Sequence, residues 1–453
     1  MSAKPELFGT DGIRGIAGQY PLDRNTVSRL GRALGVFLEE TATTRPVQVV
    51  LGEDTRESSA WISRALAAGL RSAGIDVVYA GIIATPGVAF LTRHHRFAAG
   101  IVVSASHNPY EDNGIKVLSS SGMKLSEAME LAIERLLDQV GAGPEENSER
   151  PLEPVAQLLD DYLEFLLNLV PAGLGFSKYR LAVDCAHGAA CRVAPTVLTR
   201  LGVSAQILHA QPNGRNINLG CGSLYPQVMA ETTKSCSADL GVAFDGDADR
   251  AIFATREGRL ADGDHVLFGL APFFHRRGML KGRGVVGTLM TNLALELALA
   301  RQGIALKRTA VGDKYVLEEM LRSGINLGGE PSGHIIFGDL SLAGDGIITL
   351  LQVLRLLAET QQSLDELVSE LKPFPQIIRN VRVREKTSLE SIPEVGRAII
   401  ECRSELGERG RVVVRYSGTE PLARVMVEAE DAEMVERHTA RIAEAIDSAL
   451  GIR

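Results

Sequence analysis

The sequence predicts an α/β protein: three similar mixed α/β domains followed by a smaller C-terminal α+β domain. Three observations predict it. One order of apolar runs and helical patterns occurs three times between the N-terminus and His334. Each copy leads from an apolar run straight into a polar loop of unusual composition. The pattern then changes beyond a proline-containing break, LKPFPQ at 371–376.

Each copy opens with an apolar, β-rich run: VQVVLGED (47–54), YRLAVDCAHG (179–188) and GRGVVGTLMTN (282–292). Apolar residues at helical spacing follow, as in SSAWISRALAAGLRSA. Each helix is expected to stop at a glycine (Gly74, Gly202, Gly303), since the position past a helix end often needs a left-handed backbone. Second strands follow as GIDVVYA, GVSAQILHA and GIALKRTA. A further run in each copy, AAGIVV, DLGVAF or INLGG, enters the polar loop. Alternating strands and helices predict a largely parallel sheet, with ligands beyond the carboxyl ends of its strands. The three loops are therefore expected at equivalent places in three related domains. The polar stretch QVGAGPEENSERPLEP (139–154) reads as a linker. The expected domains are 1–150, 151–252, 253–370 and 371–453. In the last, RNVRVRE, RVVVRYSG and RVMVEAE read as strands and ERHTARIAEAIDSALG as a closing helix.

Bulk properties restrict the partners. A net charge of −8 argues against a nucleic-acid role, although a local arginine cluster can still bind small anions. The opening MSAKPELFGTDG has no secretory h-region, and the most apolar stretch, GIITLLQVLRLLAE, carries Gln352 and Arg355 and reads as an amphipathic or buried helix. No membrane partner is expected. Five cysteines, none in a CxxC, fit reduced thiols and a cytoplasmic location, with neither a zinc site nor a disulfide framework expected.

The loops carry the chemistry. Asp245, Asp247 and Asp249 alternate, so three carboxylates can point one way and bind a hard cation, Mg²⁺ or Ca²⁺. An EF-hand is excluded, since Arg250 and Arg256 stand where Gly and Glu are required. Arg250 reads as a phosphate clamp. In SASHNP, Ser104 and Ser106 share strand parity, and spacing does not choose between them. A phosphoryl-carrying serine beside the cation fits better than a protease nucleophile, because no G-x-S-x-G elbow exists. Lys116 offers charge neutralisation or proton movement. Glu330 and Ser332 suit sugar hydroxyls, and His334 suits acid–base work. In RYSGTEPLAR, Arg415, Ser417, Thr419 and Arg424 flank a glycine turn suited to an anion, and no Walker A motif implies ATP.

With SASHNP, DGDADR, GEPSGH and RYSGTEP in this order, the whole chain resembles the α-D-phosphohexomutase superfamily. FGTDGIRG (8–15), VGDKYV (311–316) and SGTEPLARVMVE (417–428) resemble its bacterial phosphoglucosamine mutase subfamily. Pro331 and Ala248 stand where that subfamily usually has Gln and Gly. The resemblance implies four domains around a central cleft and a phosphoserine at Ser106, whose phosphorylation activity requires. It implies one Mg²⁺ held by Asp245, Asp247, Asp249 and the Ser106 phosphate. Arg14, His107 and Lys116 would line the phosphoserine site, with Arg250 beside the metal loop. Glu330 and Ser332 would hold the sugar, with His334 nearby and Asp313 and Lys314 on a further substrate loop. Arg415, Ser417, Gly418, Thr419 and Arg424 would grip the non-reacting phosphate. The implied reaction interconverts glucosamine 6-phosphate and glucosamine 1-phosphate through a 1,6-bisphosphate, supplying UDP-N-acetylglucosamine and cell-wall precursors. The implied partners are sugar phosphates, and the chain would be a monomer or homodimer. Alternatives are a phosphomannomutase/phosphoglucomutase, a metal-dependent phosphatase and a non-catalytic phosphosugar-binding regulator.

Overall fold

The computed structural model describes residues 5–43, 45–141, 150–171, 173–417 and 421–452. The first sheet holds β1 (Ile13–Ile16), β2 (Gln48–Glu53), β3 (Asp76–Ile82), β4 (Ala99–Val103) and β5 (Asp112–Ser119), in the order β1-β5-β4-β2-β3. The second holds β6 (Arg180–Asp184), β7 (Ser204–Leu208), β8 (Leu240–Phe244), β9 (Ala251–Thr255) and β10 (Leu260–Ala261), in the order β10-β9-β8-β6-β7. The third holds β11 (Gly284–Thr288), β12 (Ala305–Thr309), β13 (Leu327–Gly329) and β14 (Ile335–Phe337), in the order β12-β11-β13-β14.

The shared plan is three parallel strands with the first of each copy in the middle, followed by an antiparallel fourth. The sheets are thus mixed rather than largely parallel. The physical reason lies in the polar loops. Each is shorter than the dozen or so residues a parallel crossover needs, so the chain must turn back on itself. The same turn carries the second sheet to Ala261, past the expected boundary at 252. The loops after β4, β8 and β13 occupy equivalent places at the carboxyl ends.

The middle strands are buried on both faces, as parallel strands covered by helices must be. One apolar core runs through all three units, from Val50 and Val102 through Val183 and Phe253 to Val285 and Leu327. Helix Gly346–Thr360, the most apolar stretch of the sequence, lies inside this core. Asp345 caps it, its Oδ1 accepting from the amides of Ile347 (2.8 Å) and Ile348 (2.9 Å). Tyr162 of the helix Ala156–Asn168 donates to Asp345 Oδ2 at 2.7 Å.

The fourth sheet holds β15 (Gln376–Arg382), β16 (Gly410–Tyr416) and β17 (Leu422–Ala429), antiparallel in the order β15-β17-β16. Helices Pro393–Leu406 and Ala432–Leu450 complete its own core around Val425, Val427, Ile399 and Ile442. It docks on the third unit through buried Glu428, which accepts from the amide of Leu293 and from Arg411 at 2.9 Å. Arg411 also reaches the carbonyls of Leu289 (2.9 Å) and Thr291 (2.6 Å). Among the described residues no helix is long and apolar enough to cross a membrane.

Candidate active site

The loop after β4 is built by its neighbours. Ser104 Oγ donates to Asp54 Oδ2 (2.7 Å) and accepts from the Ser106 amide (3.0 Å). Arg56 Nε pairs with the same Asp54 oxygen at 2.9 Å, and its Nη2 donates to the carbonyls of Ser106 (3.0 Å) and Asn108 (2.9 Å). From the second unit, Asn218 Nδ2 donates to the same two carbonyls at 2.9 and 3.1 Å. This grip holds Ser106 at φ +53°, a left-handed conformation that a serine adopts only when its surroundings enforce it. Ser104 thus serves the backbone, while Ser106 presents its side chain to the second unit.

There Ser106 Oγ donates to Asp245 Oδ2 at 2.6 Å and lies 3.3 Å from His107 Nδ1. The turn that carries Asp245 packs closely, for a Cβ at Gly246 would fall 2.4 Å from the Ser106 carbonyl. Asp245, Asp247 and Asp249 each bring one oxygen within 4.8 Å of the others. Lys116 Nζ donates to Asp247 Oδ2 (2.6 Å), as does Thr85 Oγ1 (2.5 Å). Asp247 Oδ1 and Asp249 Oδ1 are buried without a hydrogen-bond donor. Two orphaned carboxylate oxygens in an all-oxygen set are what a hard divalent cation satisfies.

The electrostatics follow from burial and neighbours. Burial, with Asp249 and Asp247 adding, holds the Asp245 carboxyl well above the usual range. Burial opposes ionisation of Asp249 too, but His334, Lys116 and Arg250 outweigh it and hold it well below. Burial also disfavours charge on His334; Asp249, Asp313 and Glu330 overcome it and push the imidazole up to about 9. His334 lies 3.6 Å from Asp249 and 3.7 Å from Asp313. His107 goes the other way: burial, then Arg250 and Arg14, pull it down to about 4. The Arg250 amide donates to Asp245 Oδ1 at 3.1 Å. Arg14 bonds Asn108 Oδ1 at 3.4 Å and Asp11 at 3.2 Å.

The third unit closes the far side. Glu330 Oε1 accepts from the Gly312 amide (3.0 Å), joining the 311–316 segment to the GEPSGH loop. Asp313 accepts from Lys124 of the first unit at 2.7 Å. Ser332 Oγ is buried and without a partner. A cavity of about 200 Å³ opens between the units, lined by Lys116, Lys124, Asp249, Asp313, Lys314 and His334.

The structure therefore gathers Ser106, His107, Lys116, Arg14, Arg250, the three aspartates and His334 in one place, with Glu330, Ser332, Asp313 and Lys314 beside them. Arg415 and Arg424 form a facing pair across β16 and β17, outside this network, and Ser417 closes the hairpin with its amide on Leu422 O at 2.8 Å. Gly418 and Thr419 lie outside the described residues. Sequence reasoning missed Asp54, Arg56, Thr85 and Asn218. A signal existed for the first two, since they directly follow β2, at the same carboxyl edge as the polar loops.

Four family descriptions match in order: phosphoglucomutase/phosphomannomutase alpha/beta/alpha domain I over residues 5–142, domain II over 160–258, domain III over 262–374 and the C-terminal domain over 379–445. A phosphoglucosamine mutase of Koribacter versatilis is 52% identical, covering 99% of this chain and 98% of its own. A phosphoglucomutase/phosphomannomutase family protein of Burkholderia thailandensis superposes with a TM-score of 0.79 at 23% identity, covering 98% and 99%. The Aspergillus fumigatus N-acetylphosphoglucosamine mutase, solved with GlcNAc-6P and magnesium, superposes with a TM-score of 0.67 at 20% identity, covering 98% and 96%.

Proposed function

The chain belongs to the phosphoglucomutase/phosphomannomutase family, and from that membership we propose that it interconverts glucosamine 6-phosphate and glucosamine 1-phosphate through a phosphoserine at Ser106. The observation that carries the reading is Ser106 Oγ on Asp245 at 2.6 Å, inside the aspartate trio. Asp245, Asp247 and Asp249 are the residues that would hold Mg²⁺. When bound, the ion neutralises charge on the transferring phosphoryl group.

In the forward half-reaction the C1 hydroxyl of the sugar attacks the phosphorus on Ser106. The new O–P bond forms as the Ser106 Oγ–P bond breaks. The hydroxyl loses its proton, and Oγ regains one. His107, kept neutral by its burial and by Arg250 and Arg14, stands 3.3 Å from that oxygen and suits the proton's handling. Lys116 and Arg250 balance charge beside the aspartates. Glu330 and Ser332 hold the sugar, and His334, as a cation at neutral pH, faces it from the third unit. The bisphosphate then turns over, and its 6-phosphate returns to Ser106, releasing the 1-phosphate. Arg415, Ser417, Gly418, Thr419 and Arg424 would grip whichever phosphate is not reacting.

Turnover of glucosamine, glucose and mannose 1-phosphates by the purified phosphoprotein tests the assignment. A preference for the glucosamine compound is expected, and a preference for mannose would overturn it. Phosphate release without isomerisation would instead mark a phosphatase.

A further inference from the structure

Behind the serine loop, three side chains from separate segments converge. Asp184 ends β6, His209 directly follows β7, and Cys221 lies in the connection before β8. One carboxylate oxygen, one imidazole nitrogen and the sulfur all lie within 4.8 Å of one another. Asp184 and Cys221 are buried, while the His209 side chain is 27% exposed and leaves one side open. His209 Nδ1 stands 3.0 Å from Asp184 Oδ2, yet this buried nitrogen makes no hydrogen bond. A simple Asp–His pair would align the N–H with the carboxylate, and it would give Cys221 no part.

We propose that Asp184, His209 and Cys221 form a second metal site, distinct from the aspartate trio, that takes a borderline divalent cation such as Zn²⁺. Mixed oxygen, nitrogen and sulfur donors favour such an ion over Mg²⁺, and three protein ligands leave the open side for water. Bonds of about 2.0–2.3 Å place tetrahedral ligand atoms roughly 3.5 Å apart, a separation that modest side-chain rotation reaches. On binding, the Cys221 thiol releases its proton to solvent, and His209 carries its ring proton on Nε2. No CxxC spacing marks the trio, because its donors come from three different segments of the chain.

The site's position gives it a consequence. The segment between His209 and Cys221 carries Asn218, whose amide donates to Ala186 O at 3.0 Å and whose side chain clamps the Ser106 and Asn108 carbonyls. A cation fixing both ends of that segment stiffens the clamp on the serine loop.

The test uses the full-length protein saturated with Mg²⁺, titrated with Co²⁺ and followed by absorption. One equivalent with a thiolate-to-cobalt charge-transfer band is expected, a signature the sulfur-free aspartate trio does not produce. Cys221→Ser and His209→Gln should each abolish the band, and His209→Gln should keep its circular dichroism and, in Mg²⁺ alone, turnover within about twofold. Absence of the band from the unsubstituted protein overturns the proposal. So does a band that survives in folded His209→Gln, which would assign the sulfur ligation elsewhere. If Cys221→Ser fails to fold, His209→Gln decides alone.

Discussion

Ser104 and Ser106 are two positions apart and do different work. Ser106→Ala should reduce mutase turnover to background while phosphosugar binding, read by calorimetry, persists. Ser104→Ala should keep the phosphoryl acceptor but lose the bond that holds the Ser106 amide. A loss of about 1 kcal/mol in stability, read by urea denaturation, and a fall in kcat of roughly tenfold are expected. Intact mass and peptide mapping should find about 80 Da extra on residues 101–116 of the active protein, and none on that peptide in Ser106→Ala. Spacing alone narrowed the choice to these two serines, because both share strand parity, and it was the resemblance of SASHNP to the superfamily motif that implied Ser106. What separates them is the left-handed backbone at Ser106 and the Asp54–Arg56 grip beneath it, and neither follows from local spacing. The three aspartates were legible because their alternation and the apolar run before them lie in one short segment.

At the scale of elements, the buried helix Gly346–Thr360 depends on Asp345 as its cap. Burial raises the Asp345 carboxyl from 3.8 to about 6, against the opposing pull of Tyr162 and the helix amides. Between those two pH values the folded state binds a proton that the unfolded chain has released. Stability from this group is therefore present below about pH 4 and is lost as pH rises through 6. Asp345→Asn retains a capping oxygen, so urea midpoints measured across that window should show a flatter slope than the parent. The helix itself was visible as an apolar run of helical length. Helix Pro393–Leu406 was not foreseen, although Val395, Ala398, Ile399, Cys402 and Leu406 repeat at helical spacing and would have marked it. The direction of β5, β9 and β14 escaped the strand–helix pattern because it depends on the length of a loop rather than on any residue in it.

Across the whole molecule, three units share a core and the fourth has its own. Arg415→Ala, in the fourth, should raise KM for both phosphosugar isomers by a similar factor, since in the proposed mechanism each presents its idle phosphate to the same hairpin; an effect on one isomer alone would contradict that role. Glu428→Gln removes the buried charge that Arg411 pairs with, and should loosen the fourth unit against the third, seen as faster hydrogen exchange at β17 and at Leu293. Three units were readable from repetition and the fourth from the change of pattern beyond LKPFPQ, but the seams were not, because contacts such as Thr85 on Asp247 and Asn218 on Ser106 join residues more than a hundred positions apart. Those seams have an outcome during synthesis. A nascent chain that has emerged only through β5 carries its serine without any acid partner and without Asn218 to orient it. Exchanging that first unit between distant relatives would likewise transplant the hydroxyl with Asp54 and Arg56 but leave Asn218 and Asp245 behind.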